Sequence, residues 1–167
     1  MLRLSRLALL LPPTLFLAAL AAAQEPAAAP TVEAAEAPPA TYDEALAQAA
    51  GADELGMRKY VLVILKSSPT PVPKGPERDA MFRGHFANME RLAGEGKLVL
   101  AGPLDGKDGW RGLFVLATAD LEEAARLVAT DPVVAQGEMV PELHALYSSA
   151  ALMFINETHK KLAKKSF

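Results

Sequence analysis

Tyr60-Val-Leu-Val-Ile-Leu65 is an unbroken apolar run in which Val61, Val63 and Ile64 are β-branched. No polar residue alternates through it. A strand built here is apolar on both faces and must be covered on both. One layer of helices covers only one face of a sheet. The other face needs a second layer of its own.

The segments around this strand supply the first layer. Lys66 to Pro76 is rich in Pro and Gly and reads as a loop. Glu77 to Ala93 has Phe82, His85, Phe86, Met89, Leu92 and Ala93 at helical spacing, and Gly94 and Gly96 flank its end. Lys97 to Ala101 is a second strand, stopped by Gly102-Pro103. Asp105-Gly106 and Asp108-Gly109 carry turn chemistry, so Trp110 to Thr118 folds back as a hairpin partner. Asp120 is placed to cap a helix carrying Leu121, Ala124, Ala125, Leu127 and Val128. Asp131-Pro132 opens a short helical turn. Glu138 to Tyr147 is the last strand. The order is β-α-β-β-α-β, an α+β fold with a ferredoxin-like, split βαβ arrangement. Gly112, Phe114 and Leu116 share one face of the third strand, and Leu113, Val115 and Ala117 share the other. The face left open by two helices predicts a homodimer packed sheet to sheet. The alternative cover is the chain's own tail or its N-terminal helix.

The remaining segments lie outside this domain of residues 57–150. Residues 1–23 have Arg3 and Arg6 ahead of an apolar stretch broken by Pro12-Pro13, then Ala21-Ala22-Ala23. This pattern predicts a signal peptide cleaved after Ala23 and a periplasmic or secreted mature chain. The stretch is short for a membrane span, which takes about 20 apolar residues. Residues 24–56 begin as an Ala/Pro tether that buries little surface. The tether ends in a short helix at 42–50, with Thr41 and Glu44 as a capping box and Gly51 as the stop. Residues 151–167 form a helical tail with Lys160, Lys161, Lys164 and Lys165 at its basic end. Weak attraction to anionic lipid is the only membrane contact expected beyond the signal. Much of the 51% hydrophobic content therefore belongs to the leader and tether.

Composition narrows the chemistry. The 167-residue chain has no cysteine, which excludes disulfides, thiolate nucleophiles and Cys-based metal sites. A formal charge of −3 argues against general nucleic-acid binding. No Walker loop, dinucleotide fingerprint or metal-ligand spacing is present, so no cofactor and no metal is expected. Ser148, Ser149 and the serines of the loop after the first strand carry no nucleophile signature. Lys66, Lys74 and Arg78 give that loop some attraction for anions.

Three histidines remain. His85 lies on a helix among apolar residues. The residues leave two roles open for it: a core-edge side chain bonded to a carbonyl, or a general acid or base with a pKa near neutrality. The second role needs a carboxylate to orient the ring. Asp131, at the end of the neighbouring helix on the same face, is the candidate, and it is also placed to cap the Pro132 turn. His144 sits mid-strand beside Glu142, where a structural role or a position facing a dimer cavity is expected. His159 reads as solvated.

The run Tyr60 to Lys66, Gly84-His85, Glu95-Gly-Lys-Leu-Val-Leu-Ala-Gly-Pro103, Arg111-Gly112, Ala129-Thr-Asp-Pro132 and Glu142-Leu-His144 resembles the YciI-like (YCII-related) domain family. The resemblance covers about residues 57–150. It implies a dimeric α+β barrel of ferredoxin-like subunits and an active site built on a His–Asp pair, here His85 and Asp131. The expected function is an exported small-molecule enzyme of lyase or isomerase type. The alternative is a non-catalytic ligand-binding or protein-interaction module of the cell envelope. The export signal, tether and basic tail depart from the family pattern and argue against a cytoplasmic metabolic role.

Overall fold

The computed structural model describes residues 41–165. The expected signal at 1–23 and tether at 24–40 lie outside the described residues. The elements are α1 (Glu44–Ala50), β1 (Met57–Ser67), α2 (Pro76–Gly94), β2 (Leu98–Pro103), β3 (Trp110–Leu116), α3 (Leu121–Ala129), α4 (Pro132–Ala135), β4 (Met139–Ser149) and α5 (Ile155–Leu162). Single 3₁₀ turns cover Lys107–Gly109 and Ala150–Phe154. From β1 to β4 this is the β-α-β-β-α-β order, with α4 added before the last strand. The four strands form one antiparallel sheet in the order β2-β3-β1-β4.

β1 is central. It pairs with β3 from Val61↔Leu116 to Lys66↔Trp110, and with β4 from Met57↔Ser149 to Ser67↔Met139. Its two faces feed two separate clusters. Val61, Val63 and Leu65 pack under the helices with Phe114, Leu116, Met81, Leu92, Ala124, Val128 and Val133. Tyr60 packs on the opposite face with Val99 and Val115, beside Leu62, Leu113 and Leu146.

The tail caps one end of that second face. Leu152 and Met153 pack against Tyr60, Val99 and Val115. Asn156 Nδ2 donates to Leu98 O at 2.8 Å, and Tyr60 Oη donates to Ser149 O at 3.1 Å. The chain itself thus covers part of the surface that the sequence assigned first to a second copy. The end nearer Lys66 keeps Leu100, Trp110 and Val140 exposed.

Several local expectations are corrected. The cap of α1 is Asp43, which accepts from Leu46 N at 2.9 Å, and not Thr41. Asp is an equally good cap, and its position starts the helix at Glu44 instead of residue 42. Gly51 does end α1, in the left-handed conformation at φ 66°. Tyr42 and Leu46 are exposed, and only Ala50 of this helix is buried. Phe86 was expected inward on α2 but is 54% exposed. The buried stripe is Met81, His85, Asn88 and Leu92, one residue back around the helix.

Leu116 is fully buried in the helix-side cluster, whereas Leu121 is 46% exposed. Leu116→Ala is expected to lower unfolding free energy by about 2–5 kcal/mol. Leu121→Ala is expected to change it by no more than about 0.5 kcal/mol. Urea denaturation of the two variants measures the difference.

Candidate active site

The buried stripe of α2 is half polar. His85 and Asn88 lie between Met81 and Leu92, and each must find partners inside the fold. His85 and the Oδ1 of Asn88 find them on the segment that links α3 to α4, while the buried Nδ2 of Asn88 bonds to no described residue.

Gly84 permits the approach. A Cβ at this position would meet Pro132 Cγ at 3.0 Å, so any larger residue would push α4 away from α2. Asn88 Oδ1 accepts from Arg91 Nη2 at 2.7 Å and lies 3.1 Å from Thr130 Oγ1. Arg91 also donates to Thr130 Oγ1 at 3.1 Å. This clamp holds Thr130 against α2 and sets the position of Asp131, the next residue.

Asp131 is fully buried. Its Oδ1 accepts from Val133 N at 3.1 Å, capping α4, and both carboxylate oxygens face His85 Nδ1, at 2.9 and 2.8 Å. Capping and ring orientation are therefore done by one side chain. In a neutral imidazole, a carboxylate acceptor places the hydrogen on Nδ1 and the lone pair on Nε2. Nε2 bonds to no described residue, and 11% of the His85 side chain is exposed. The ring is held by aromatic neighbours: Phe114 stacked at 6.0 Å, Phe82 edge-on at 6.1 Å and Phe86 tilted at 5.4 Å. An imidazole so fixed presents one basic nitrogen to solvent.

A second polar centre was missed by the sequence reading. Glu138, expected as the first residue of the last strand, precedes β4 and is fully buried. Its Oε1 accepts from Arg78, and its Oε2 accepts from Val72 N at 2.9 Å. Arg111 Nη1 lies 3.8 Å from Oε1. Burial alone would raise this carboxyl. The Arg78 hydrogen bond, the Val72 amide and the two guanidinium charges outweigh it, so Glu138 titrates below the usual glutamate range. Arg78, read from sequence as an anion-attracting residue of the loop, is instead engaged with Glu138 and stacks over Phe82 at 4.8 Å. No spacing rule marks Glu138. The sole hint is one acidic residue between Gly137 and the apolar start of β4.

The other candidates stay apart from His85. Lys66 bonds Glu142 at 3.1 Å, and Glu142 bonds His144 at 2.8 Å, on the sheet face away from the helices. Lys66 first and His144 second hold Glu142 below its usual range. Lys74 is exposed, and so is His159, on α5. Ser148 and Ser149 lie at the end of β4, where Ser149 Oγ accepts from Ala151 N at 3.2 Å. A surface hollow near the start of β1 is lined by Gly51, Asp53, Arg58, Thr118 and Tyr147 and includes neither His85 nor Asp131. Among the described residues, no group of three or more His, Cys, Asp or Glu side chains is arranged to hold a metal.

Residues 59–141 match the YCII-related domain family. This segment of the chain is a YCII-related domain. It runs from β1 to the start of β4 and contains His85, Asp131, Glu138, Arg78 and Arg111. The chain is 39% identical over 54 residues to the uncharacterized protein YjpA of Bacillus subtilis (strain 168). The matched stretch is 32% of this chain and 61% of that relative. Among solved structures it is similar to the 5-chloro-2-hydroxyhydroquinone dehydrochlorinase TftG of Burkholderia phenoliruptrix AC1100, solved in complex with 2,5-dihydroxybenzoquinone. That match covers 51% of this chain and 90% of the other, at 20% identity and a TM-score of 0.39. A likeness of that depth assigns no chemistry to this chain.

The depressed carboxyl of Glu138 has a pH consequence. A folded-state pKa below the unfolded value adds stability that is fully present above the unfolded pKa, about 4.3. That stability is lost as pH falls through the folded value. Glu138→Gln is therefore expected to cost about 2 kcal/mol at pH 7. The difference from wild type should shrink on acidification below about pH 4.3. Denaturant titrations across this range measure it.

Proposed function

We propose that this chain is a small-molecule enzyme of lyase or isomerase type in which His85 transfers a proton and Asp131 orients it. The observation that supports the reading is the double approach of the Asp131 carboxylate to His85 Nδ1, with Nε2 bonded to no described residue. A histidine kept only for packing has no need of a buried charge on one nitrogen and solvent on the other. In the proposed step, Nε2 takes a proton from a substrate C–H bond. The freed electron pair forms a new double bond to the adjacent carbon. In an elimination that carbon releases its leaving group as an anion. In an isomerisation the pair shifts along the substrate, and Nε2 returns the proton at a different carbon. The imidazolium formed in between is stabilised by Asp131.

His85→Gln is expected to lower proton transfer by about 10²–10⁴-fold. Asp131→Asn is expected to lower it as well, because an amide leaves the tautomer unfixed and the ring is no longer stabilised when charged. Exchange of deuterium from solvent into a panel of small carbon acids, followed by mass spectrometry, measures the step. Unchanged exchange in His85→Gln, with only a lower melting temperature, would refute the reading and favour a binding module with a structural histidine.

We also propose that the mature chain is exported and pairs with a second copy through the uncovered part of the sheet, near Leu100, Trp110 and Val140. These exposed apolar side chains support the pairing, and the leader pattern of residues 1–23 supports export. Protein recovered from a bacterial periplasm should begin at Gln24 and give twice the chain mass by light scattering. An intact N-terminus or a monomeric mass would count against the corresponding proposal.

A further inference from the structure

Arg111 is a half-buried cation whose guanidinium makes no hydrogen bond among the described residues. Its side chain is 35% exposed. The nearest charge, Glu138, is already satisfied: Arg78 occupies Oε1 and the Val72 amide occupies Oε2. At 3.8 Å, Arg111 lies outside hydrogen-bonding distance of that carboxylate. One buried negative charge thus faces two guanidinium groups, and the surplus positive charge falls on Arg111. The strand explains the placement. The β1–β3 register shifts between Leu65 and Lys66, where the pairing passes from Gly112 to Trp110 and leaves Arg111 in the irregularity.

Arg111 is linked to His85 through Glu138, Arg78 and the Phe82 ring. Phe82 stacks under Arg78 at 4.8 Å and meets His85 edge-on at 6.1 Å. Phe86, beside His85 at 5.4 Å, is largely exposed. A basic nitrogen, apolar ring surface, the Arg78–Glu138 pair and the guanidinium of Arg111 therefore follow one another in that order.

We propose that Arg111, supported by Arg78, anchors the carboxylate of a small organic acid whose apolar body lies on Phe82 and Phe86, within reach of His85 Nε2. The proposal rests on the reading of His85 as the proton-transfer group and names the substrate class for that site. A planar carboxylate matches the fork of a guanidinium and is bound bidentately. Glu138 holds Arg78 in place, so that Arg111 keeps its donors for the ligand.

The test titrates the full chain with benzoate and with benzamide, its neutral analogue, while NMR follows the His85 imidazole signals. Benzoate should give a saturable shift, and benzamide should bind at least about tenfold more weakly. Arg111→Gln should weaken benzoate about tenfold and leave benzamide unchanged. Arg111→Lys should recover part of the loss, because an ammonium keeps the charge without the fork. Circular dichroism and melting temperature establish that both variants fold. Equal binding of the two probes, benzoate affinity indifferent to Arg111→Gln, or no saturable shift in the wild-type chain would each overturn the anchor. The two readings fail separately. Loss of proton exchange in His85→Gln without any charge preference sinks only the anchor. Arg111-dependent benzoate binding in a chain whose exchange survives His85→Gln sinks only the proton-transfer role.

Discussion

β1 is hydrogen-bonded along both edges and packed on both faces, and every other element is placed by that demand. Its helix-side residues, Val61, Val63 and Leu65, require a layer over them, and α2 and α3 supply it. Its other side buries Tyr60, and the chain answers with Leu152 and Met153 from the tail. A polar substitution at Val61, Val63 or Leu65 would be buried away from water and costly. Buried polar residues are consequently displaced outward, to the helix layer and to the loops at the strand ends.

That displacement explains why the polar residues of the core come in bonded sets. His85 is answered by Asp131, Asn88 by Thr130 and Arg91, and Glu138 by Arg78 and Val72. Each set joins α2, or the loop before it, to the segment between α3 and β4. Bonds of this type stabilise modestly when complete but cost much more when one member is lost. They fix the distance between α2 and α4, with Gly84 against Pro132 setting the closest approach. The proton transfer proposed for His85 depends on such a rigid setting, which fixes the reach of the ring in advance.

The strands and helices were largely legible, because period-2 and period-3.6 patterns are local. β1, α2 and α3 fall where the apolar spacing puts them. Small errors arose where two residues compete for one role. Asp43 and Thr41 both make good caps, and only the folded backbone chooses. Phe86 and Met81 both lie near the edge of the α2 stripe, and a rotation of one residue decides which is buried. Glu138 was unreadable for a different reason. A buried carboxylate is recognised by its partners, and Arg78, Val72 and Arg111 are scattered across loop, helix and strand.

The element order, the two-faced strand and the types of residue available for chemistry follow from local patterns in the sequence. With no cysteine in the chain and His85 on the apolar stripe of α2, an imidazole is the candidate centre for acid–base work, beside a structural role for the same ring. Only the tertiary structure decided that His85 and Asp131, 46 positions apart, bring their side chains to 2.8 Å. Packing likewise lays the tail over part of the second sheet face and leaves Arg111 without a side-chain hydrogen bond among the described residues. The physical reason is the same in each case. Periodicity reports which side of an element is buried, but a contact between elements depends on how closely they pack, and that is settled by side chains far apart in the chain.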